Sequence, residues 1–250
     1  MCRRRQCLCV SVGYQMAEAT WNSAEANPDV DFAIVDYAWA TGPDNVRGIL
    51  FSSEEAGYLA GALAGLMTGS DVVGGIGGME VLPVSAFLEP YRNGARWMNP
   101  DVQVIIAYTG TFVEPDLGAQ VAQEMMAQGA DVIFGVAGPT GNGAILEAAG
   151  SGAWAIGVDA DSWHTVFGSG TEAGSEKLLT SATKRVDSAV YHTIADEVGG
   201  AFTSGSVLYD LAVDGVGLAP FHDADPFIPQ AVRDALDEVE AGILSGSIDV

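Results

Sequence analysis

Two carboxylates, Asp159 and Asp161, stand two positions apart in the stretch GVDADSW, directly after the apolar run AWAIGV. Side chains at i and i+2 of a strand lie on one face about 6 to 7 Å apart, and a retaining glycosidase uses two carboxyls about 5 Å apart. Geometry alone therefore leaves a catalytic pair open. A calcium loop is disfavoured, because Trp163 occupies the fifth position, where a further oxygen ligand is needed.

The two remaining uses of this pair are a solvated loop and a ligand contact, and the sequence favours the ligand contact. In an open α/β sheet, ligands bind outside the carboxyl ends of the strands. Asp159 and Asp161 come where a strand over residues 154–161 ends. A carboxylate in that place can accept two hydroxyl hydrogen bonds, which suits a vicinal diol such as ribose.

The other residue types that carry chemistry stand apart from one another. His164, His192 and His222 have no second histidine or cysteine at metal-ligand spacing, so we predict no metal site. No G-x-S-x-G motif occurs, and all three cysteines lie within the first nine residues. We expect Cys7 and Cys9 to be core residues of a buried strand. We therefore expect neither a nucleophilic enzyme nor a bound cofactor.

Two glycine-rich turns resemble phosphate-binding loops but fail in detail. In VVGGIGGME the third glycine of a dinucleotide fingerprint would fall at Glu80, and GPTGNG lacks the Gly-Lys-Ser/Thr end of a P-loop. The second turn still follows a strand and opens a helix. Its backbone amides around Gly138 are therefore candidate ligand contacts.

The charge of the chain limits its partners. Among 250 residues, 33 are acidic and 10 are basic, for a formal net charge of −23. So negative a surface repels phosphate backbones and anionic lipid headgroups, which excludes nucleic acid and membrane surfaces as expected partners. Only Lys177 and Lys184 are lysines. An acidic, lysine-poor surface is typical of a protein that is soluble in high salt, where screening relieves self-repulsion.

Short β-branched runs alternate with helix-length segments, which predicts parallel sheets covered by helices on both sides. The helix predicted over residues 53–68 carries Gly57, Gly61 and Gly65 at every fourth position. We expect this stripe to press against a sheet or a neighbouring helix. The apolar stretch 56–67 is too short to span a bilayer, which needs about 20 residues, and the basic start MCRRR lacks the apolar core of a secretory signal. We expect no direct membrane insertion.

Several segments read together resemble the basic membrane protein family. They include FAIVD, FSSEEAGYLAGALAGLMT, VGGIGGME, NPDVQVIIAYTGTF, GADVIFGVAGPTGNGAILEAA, AIGVDAD and LLTSATKRVDSAVY, in order from about residue 11. The resemblance implies a type I periplasmic-binding-protein fold with two doubly wound α/β lobes joined by a hinge. It also implies an ABC-importer substrate-binding protein that closes on a nucleoside and delivers it to permease subunits. Full-length relatives would be membrane-anchored lipoproteins at the cell surface.

The resemblance also implies site residues. Asp159 matches the family's acceptor for ribose hydroxyls, and Lys184, in SATKRVD, matches the lysine that joins it. Phe112, in YTGTF, matches the aromatic that covers the nucleobase, although core packing is its alternative role. Asp36, at the end of FAIVD, and the loop around Gly138 are further candidates from strand-end placement. Asp161 completes the set as a ligand contact or as a residue that shapes the loop.

The chain departs from the family pattern at its start, where the first two strand-helix units are missing, so we expect an N-terminally shortened first lobe. The strand over residues 7–13 should then form an apolar, unpaired sheet edge. We expect the N-terminal lobe at 1–71 plus 184–200 and the C-terminal lobe at 72–183 plus 201–250. Three alternatives stay open: a nucleoside- or sugar-acting enzyme that uses the two aspartates, a cytosolic ligand-sensing regulator of the same fold, and an inert fragment.

Overall fold

The computed structural model describes residues 7–250, which form two compact units. Cys2 and the basic start lie outside the described residues. The first unit runs to Ser52 and includes Arg185–Gly215, and the second comprises Ser53–Lys184 and Val216–Val250. This division differs from the predicted one in three places. Residues 53–71 and Lys184 belong to the second unit, and residues 201–215 belong to the first.

The strands and helices alternate along most of the chain, as the sequence predicts. The strands are β1 (Leu8–Val12), β2 (Asp31–Val35), β3 (Val46–Phe51), β4 (Val72–Gly77), β5 (Gln103–Tyr108), β6 (Val132–Val136), β7 (Trp154–Asp159), β8 (Leu178–Lys184), β9 (Gly205–Tyr209) and β10 (Val216–Leu218). The helices are α1 (Ala17–Ala26), α2 (Ser53–Met67), α3 (Leu82–Met98), α4 (Pro115–Ala127), α5 (Gly138–Gly150), α6 (Ser162–Thr165), α7 (Val186–Gly199) and α8 (Gln230–Leu244). Strand β9 ends at Tyr209, where the carboxylate of Asp210 accepts a hydrogen bond from the Val213 amide and starts a 3₁₀ turn.

The first unit is built on a parallel four-stranded sheet in the order β1-β2-β3-β9. Residues 205–209 belong to this unit because β9 pairs with β3 over its whole length. Among residues 7–250, β1 pairs with β2 alone, which confirms the predicted edge strand. The expected burial of Cys7 and Cys9 is wrong: both are exposed, since a strand at the edge of the sheet is not covered on its outer side.

The second unit is built on a six-stranded sheet in the order β10-β8-β7-β6-β4-β5. Strands β4 to β8 are parallel, and the short β10 pairs antiparallel with β8 at one edge. The central β6 and β8 are buried along their whole length, as expected for strands covered by helices on both faces. Five parallel strands thus end at one edge of this sheet.

The glycine stripe of α2 explains why this helix belongs to the second unit. A Cβ atom added to Gly61 would lie 2.0 Å from the carbonyl oxygen of Tyr91 in α3, and one at Gly57 would lie 2.4 Å from that of Phe87. The absence of side chains lets the two backbones touch, which confirms the expected packing on a neighbouring helix. None of the helices formed by residues 7–250 is both long and apolar enough to cross a membrane.

Candidate functional site

The carboxyl ends of the parallel strands bring four of the predicted site residues to one edge of the second unit. Phe112 follows β5, Gly138 follows β6, Asp159 ends β7 and Lys184 ends β8. The strands between them are hydrogen-bonded in register, so the order of these residues along the edge is fixed by the sheet. The strand-end argument from the sequence therefore places Asp159 and Gly138 correctly at this edge, and Phe112 and Lys184, which the family resemblance implied, lie at the same edge.

Asp159 and Lys184 contact each other directly. The Nζ atom of Lys184 lies 3.3 Å from Oδ1 of Asp159. The strands place them side by side, since Asp159 is in register with Thr183, the residue before Lys184. Asp159 has a left-handed backbone with φ of 64°, which a non-glycine residue rarely adopts and which is concentrated at functional sites. This conformation ends the strand and leaves the carboxylate exposed.

Lys184 has the opposite exposure, because its side chain is buried. Its ammonium lies 5.0 Å from the centre of the Phe87 ring, within cation–π range. A buried ammonium needs a counter-charge, and Asp159 supplies one. The carboxylate of Asp159 is therefore accessible, and the buried ammonium of Lys184 sets its orientation.

Phe112 is half-buried and lies against the end of β4. A Cβ atom at Gly78 would lie 2.2 Å from the ring atom Cε1 of Phe112, so the ring rests where only glycine leaves room. The carbonyl oxygen of Phe112 accepts a hydrogen bond from the Thr140 amide at 3.2 Å, and the hydroxyl of Thr140 accepts one from the Glu114 amide at 2.9 Å. The loop after β5 is thus tied to the first turn of α5, where Gly138 is exposed with φ of 54°.

The structure separates the two carboxylates of GVDADSW. Asp161 lies beyond the end of β7 and caps α6: its Oδ1 accepts a hydrogen bond from the Trp163 amide at 3.0 Å. Its Oδ2 lies 2.7 Å from Nε2 of His222. The expectation that Asp159 and Asp161 share a strand face is wrong, because the left-handed turn at Asp159 ends the strand between them. Each aspartate has its own partner, so the two do not face each other as a pair.

The fold brings two histidines to Asp161, which the sequence analysis missed. His164 and His222 join Asp161 so that one potential ligand atom from each lies within 4.8 Å of the others. The Trp163 ring stacks on His222, with centroids 4.3 Å apart. His222 is 61 residues from Asp161 along the chain, so no local motif could have revealed this cluster.

Trp163 is itself held by Asp223. The indole Nε1 donates to Oδ2 of Asp223 at 3.0 Å, and the hydroxyl of Ser175 donates to the same oxygen at 2.8 Å. The hydrogen bond from Trp163, and after it the one from Ser175, hold the pKa of Asp223 below its usual value. The indole ring therefore has a fixed position against His222.

Asp36 lies in the first unit, where it follows β2 directly. Like Asp159, it has a left-handed backbone, with φ of 61°, and its amide donates to the carbonyl oxygen of Ile49 at 2.9 Å. The two aspartates thus end parallel strands in the same backbone conformation. His192, the remaining histidine, is exposed on α7 of the same unit.

Comparison with known proteins gives consistent matches over nearly the whole chain. The sequence model of the family described as PnrA-like ABC transporter substrate-binding proteins (Bmp) matches residues 3–249. A CD4+ T-cell-stimulating antigen of Listeria monocytogenes is 33% identical over 252 residues, which cover 97% of this chain and 70% of the relative. An ABC transporter nucleoside-binding protein, BmpA, of Lactococcus lactis is 31% identical over 254 residues, which again cover 97% of this chain and 70% of the relative.

A solved structure agrees with these sequence matches. An ABC transporter solute-binding protein of Aeropyrum pernix superposes with a TM-score of 0.81 at 29% identity, over 97% of this chain and 76% of that one. The predicted α/β architecture of a type I periplasmic-binding protein is thereby confirmed.

Proposed function

Because the chain belongs to the Bmp family of PnrA-like ABC transporter substrate-binding proteins, we propose that its ligand is a nucleoside. The observation that carries the proposal is the pair of Asp159 and Lys184, in which an exposed carboxylate is oriented by a buried ammonium at the carboxyl edge of the sheet. In support, one relative, the Lactococcus lactis protein, is described as nucleoside-binding.

In this proposal, Asp159 accepts hydrogen bonds from the two hydroxyls of the ribose. A carboxylate has two oxygens and several lone pairs, so it can hold both hydroxyls of a vicinal diol at once. Hydrogen bonds to a charged acceptor are worth about 1.5 to 3 kcal/mol each, more than those to a neutral one. Lys184 holds the carboxylate in the orientation that this role requires.

Phe112 supplies a π face for the base. Its ring rests on Gly78 at the end of β4, and β4 lies two positions from β7 in the sheet. Neighbouring strands are about 4.8 Å apart, so the ring and Asp159 are separated by about 10 Å along the edge. That span suits a ligand made of two linked rings. Gly138, which follows β6 between them, offers backbone amides to the same ligand.

The remaining candidates take separate roles. Asp161 shapes the loop after β7, since its carboxylate contacts the Trp163 amide and His222. Asp36 belongs to the first unit and is a ligand contact to be tested on its own. The chain delivers its nucleoside to ABC permease subunits, works on the outer side of the cytoplasmic membrane and catalyses no reaction on the ligand.

The proposal is tested by isothermal titration of the full chain with ribonucleosides, their 2′,3′-dideoxy analogues and the free bases. We expect saturable binding of at least one ribonucleoside and much weaker binding of its dideoxy analogue, because the diol is missing. The absence of binding by any nucleoside would contradict the proposal. Chromatography of the titrated sample distinguishes the enzyme alternative, since release of a free base would show catalysis.

A further inference from the structure

A cluster of metal-ligating side chains in the second unit has no role in nucleoside binding as proposed above. Asp161 and His164 flank Trp163 at the start of α6, and His222 comes from a turn far along the chain. One oxygen or ring nitrogen from each of the three lies within 4.8 Å of the others. We propose that Asp161, His164 and His222 form a binding site for a divalent transition-metal ion.

The donor set decides which metals fit. Two imidazole nitrogens with one carboxylate oxygen suit Zn²⁺, Co²⁺ or Ni²⁺, whereas Ca²⁺ and Mg²⁺ prefer oxygen ligands alone. In a tetrahedral zinc site with bonds of about 2.1 Å, ligand atoms lie about 3.4 Å apart. The 2.7 Å contact between Asp161 and His222 is already near this spacing. The His164 nitrogen lies within 4.8 Å of the other two ligand atoms, and rotation of this exposed side chain brings it to the tetrahedral spacing.

Contacts around the cluster orient both imidazoles. His222 is stacked on Trp163 with an angle of 10° between the rings, and Trp163 is fixed by Asp223. Nδ1 of His164 lies 2.9 Å from the hydroxyl of Ser169, so in the proposed site Nε2 is the nitrogen that binds the metal. Metal-bound histidines usually have such a partner on their second nitrogen, because it sets the tautomer and the ring orientation.

The cluster is partly accessible, which a metal site with bound water requires. The side chains of His222 and Asp161 are 19% and 23% exposed, and His164 lies at the surface. Three protein ligands leave a fourth tetrahedral position for water or for an oxygen of a bound molecule. The distances, the donor types and the orienting contacts therefore agree on one site.

Titration of the full chain with Co²⁺ and Zn²⁺ tests the proposal. For this titration all three cysteines are replaced (Cys2→Ser, Cys7→Ser and Cys9→Ser), so that thiolates do not bind the metal. We expect one Co²⁺ per chain, with visible absorption of a four- or five-coordinate ion, displaced by Zn²⁺ and not by Mg²⁺. Because a residue that merely orients a ligand is worth about 10- to 100-fold in affinity, His164→Gln and His222→Gln should each weaken binding more than about 100-fold.

His192→Gln is the matched control, since this exposed histidine lies in the first unit, and its affinity should equal that of the parent. His164→Gln changes an exposed side chain, so its effect reports the site rather than the fold; circular dichroism of each variant checks this. The proposal is overturned if no saturable Co²⁺ binding occurs. It is equally overturned if His164→Gln binds as tightly as the parent, or if His192→Gln causes the loss.

Discussion

Lys184 and Asp159 form an ion pair whose two members differ sharply in exposure: the lysine side chain is 4% exposed and the aspartate side chain 60%. The two strands that carry them are parallel neighbours, so the contact is built into the register of the sheet. An exposed pair contributes little to stability, whereas a buried charge requires its partner. The geometry therefore suits a carboxylate held for a ligand better than a stabilising surface pair.

Replacing Asp159 by Asn should weaken ribonucleoside binding. The neutral amide accepts hydroxyl hydrogen bonds less strongly than a carboxylate, and a loss of about 1.5 to 3 kcal/mol corresponds to roughly 10- to 100-fold in Kd. Isothermal titration measures the change. Asp225→Asn is the matched control, since Asp225 is also 60% exposed and paired with Arg233 at 2.9 Å. Equal affinities of the two variants for the ribonucleoside would show that Asp159 does not contact the ligand.

Replacing Lys184 by Met should separate binding from stability. The methionine fills a similar volume, and exchanging a buried charge for an apolar side chain is often neutral or stabilising. The carboxylate of Asp159 loses its fixed partner, however, so ribonucleoside Kd should rise at least about tenfold, on the order of 1.4 kcal/mol. Thermal unfolding and titration of the same sample give both quantities. Unchanged affinity with unchanged stability would show that the ammonium does not serve the ligand.

Phe112→Leu tests the proposed base contact. Stacking of a base on an aromatic ring is worth about 1 to 3 kcal/mol, so nucleoside affinity should fall about 5- to 100-fold while the apolar packing on Gly78 is largely kept. Phe227→Leu is the control, since that ring is exposed elsewhere in the second unit. If Phe112→Leu lowers the melting temperature and leaves affinity unchanged, the ring belongs to the core and not to the site.

The contact between α2 and α3 should not tolerate side chains in the glycine stripe. In Gly61→Ala the new methyl group meets the Tyr91 carbonyl oxygen, and overpacking of this kind costs about 1 to 3 kcal/mol despite the better helix propensity of alanine. In Gly150→Ala, at the end of α5, the added atom meets nothing within 4 Å. Urea unfolding should show a loss for the first and no loss for the second.

Sequence reasoning located the strand ends of the second unit because buried parallel strands are recognisable as short apolar runs bounded by glycine and aspartate. That was enough to place Asp159 and Gly138 at one edge, whereas Lys184 and Phe112, which lie at the same edge, were identified through the family resemblance. It could not give the conformation of Asp159, since the left-handed turn that separates it from Asp161 depends on the local fold.

Two other features depend on contacts distant in sequence. His222 reaches Asp161 across 61 residues, which no spacing rule detects. Cys9 is exposed although its strand is apolar, because burial depends on where a strand lies in the sheet. The boundary between the two units at Ser52 was missed for a related reason. The glycine stripe of α2 indicates a close contact, but it does not show that the partner is α3 of the second unit.

Glu197 should give the first unit a pH-dependent stability. It is buried on α7, and burial, together with a hydrogen bond to Asp31 and the negative charge there, raises its pKa above the ordinary value of 4.5. A carboxyl with a raised pKa binds its proton more tightly in the folded state, so its contribution favours folding at low pH. That contribution is lost as the pH rises from 4.5 through the raised pKa.

Glu197→Gln should therefore unfold at higher urea concentration than the parent chain at neutral pH, because it removes the cost of a buried, ionised carboxylate beside Asp31. The difference should shrink as the pH falls toward 4.5, where the parent carboxyl is protonated in the folded state. Glu25→Gln, an exposed change on α1 of the same unit, should show no such trend. A difference that stays constant or grows toward low pH would mean that Glu197 is ionised and stabilising in the folded chain.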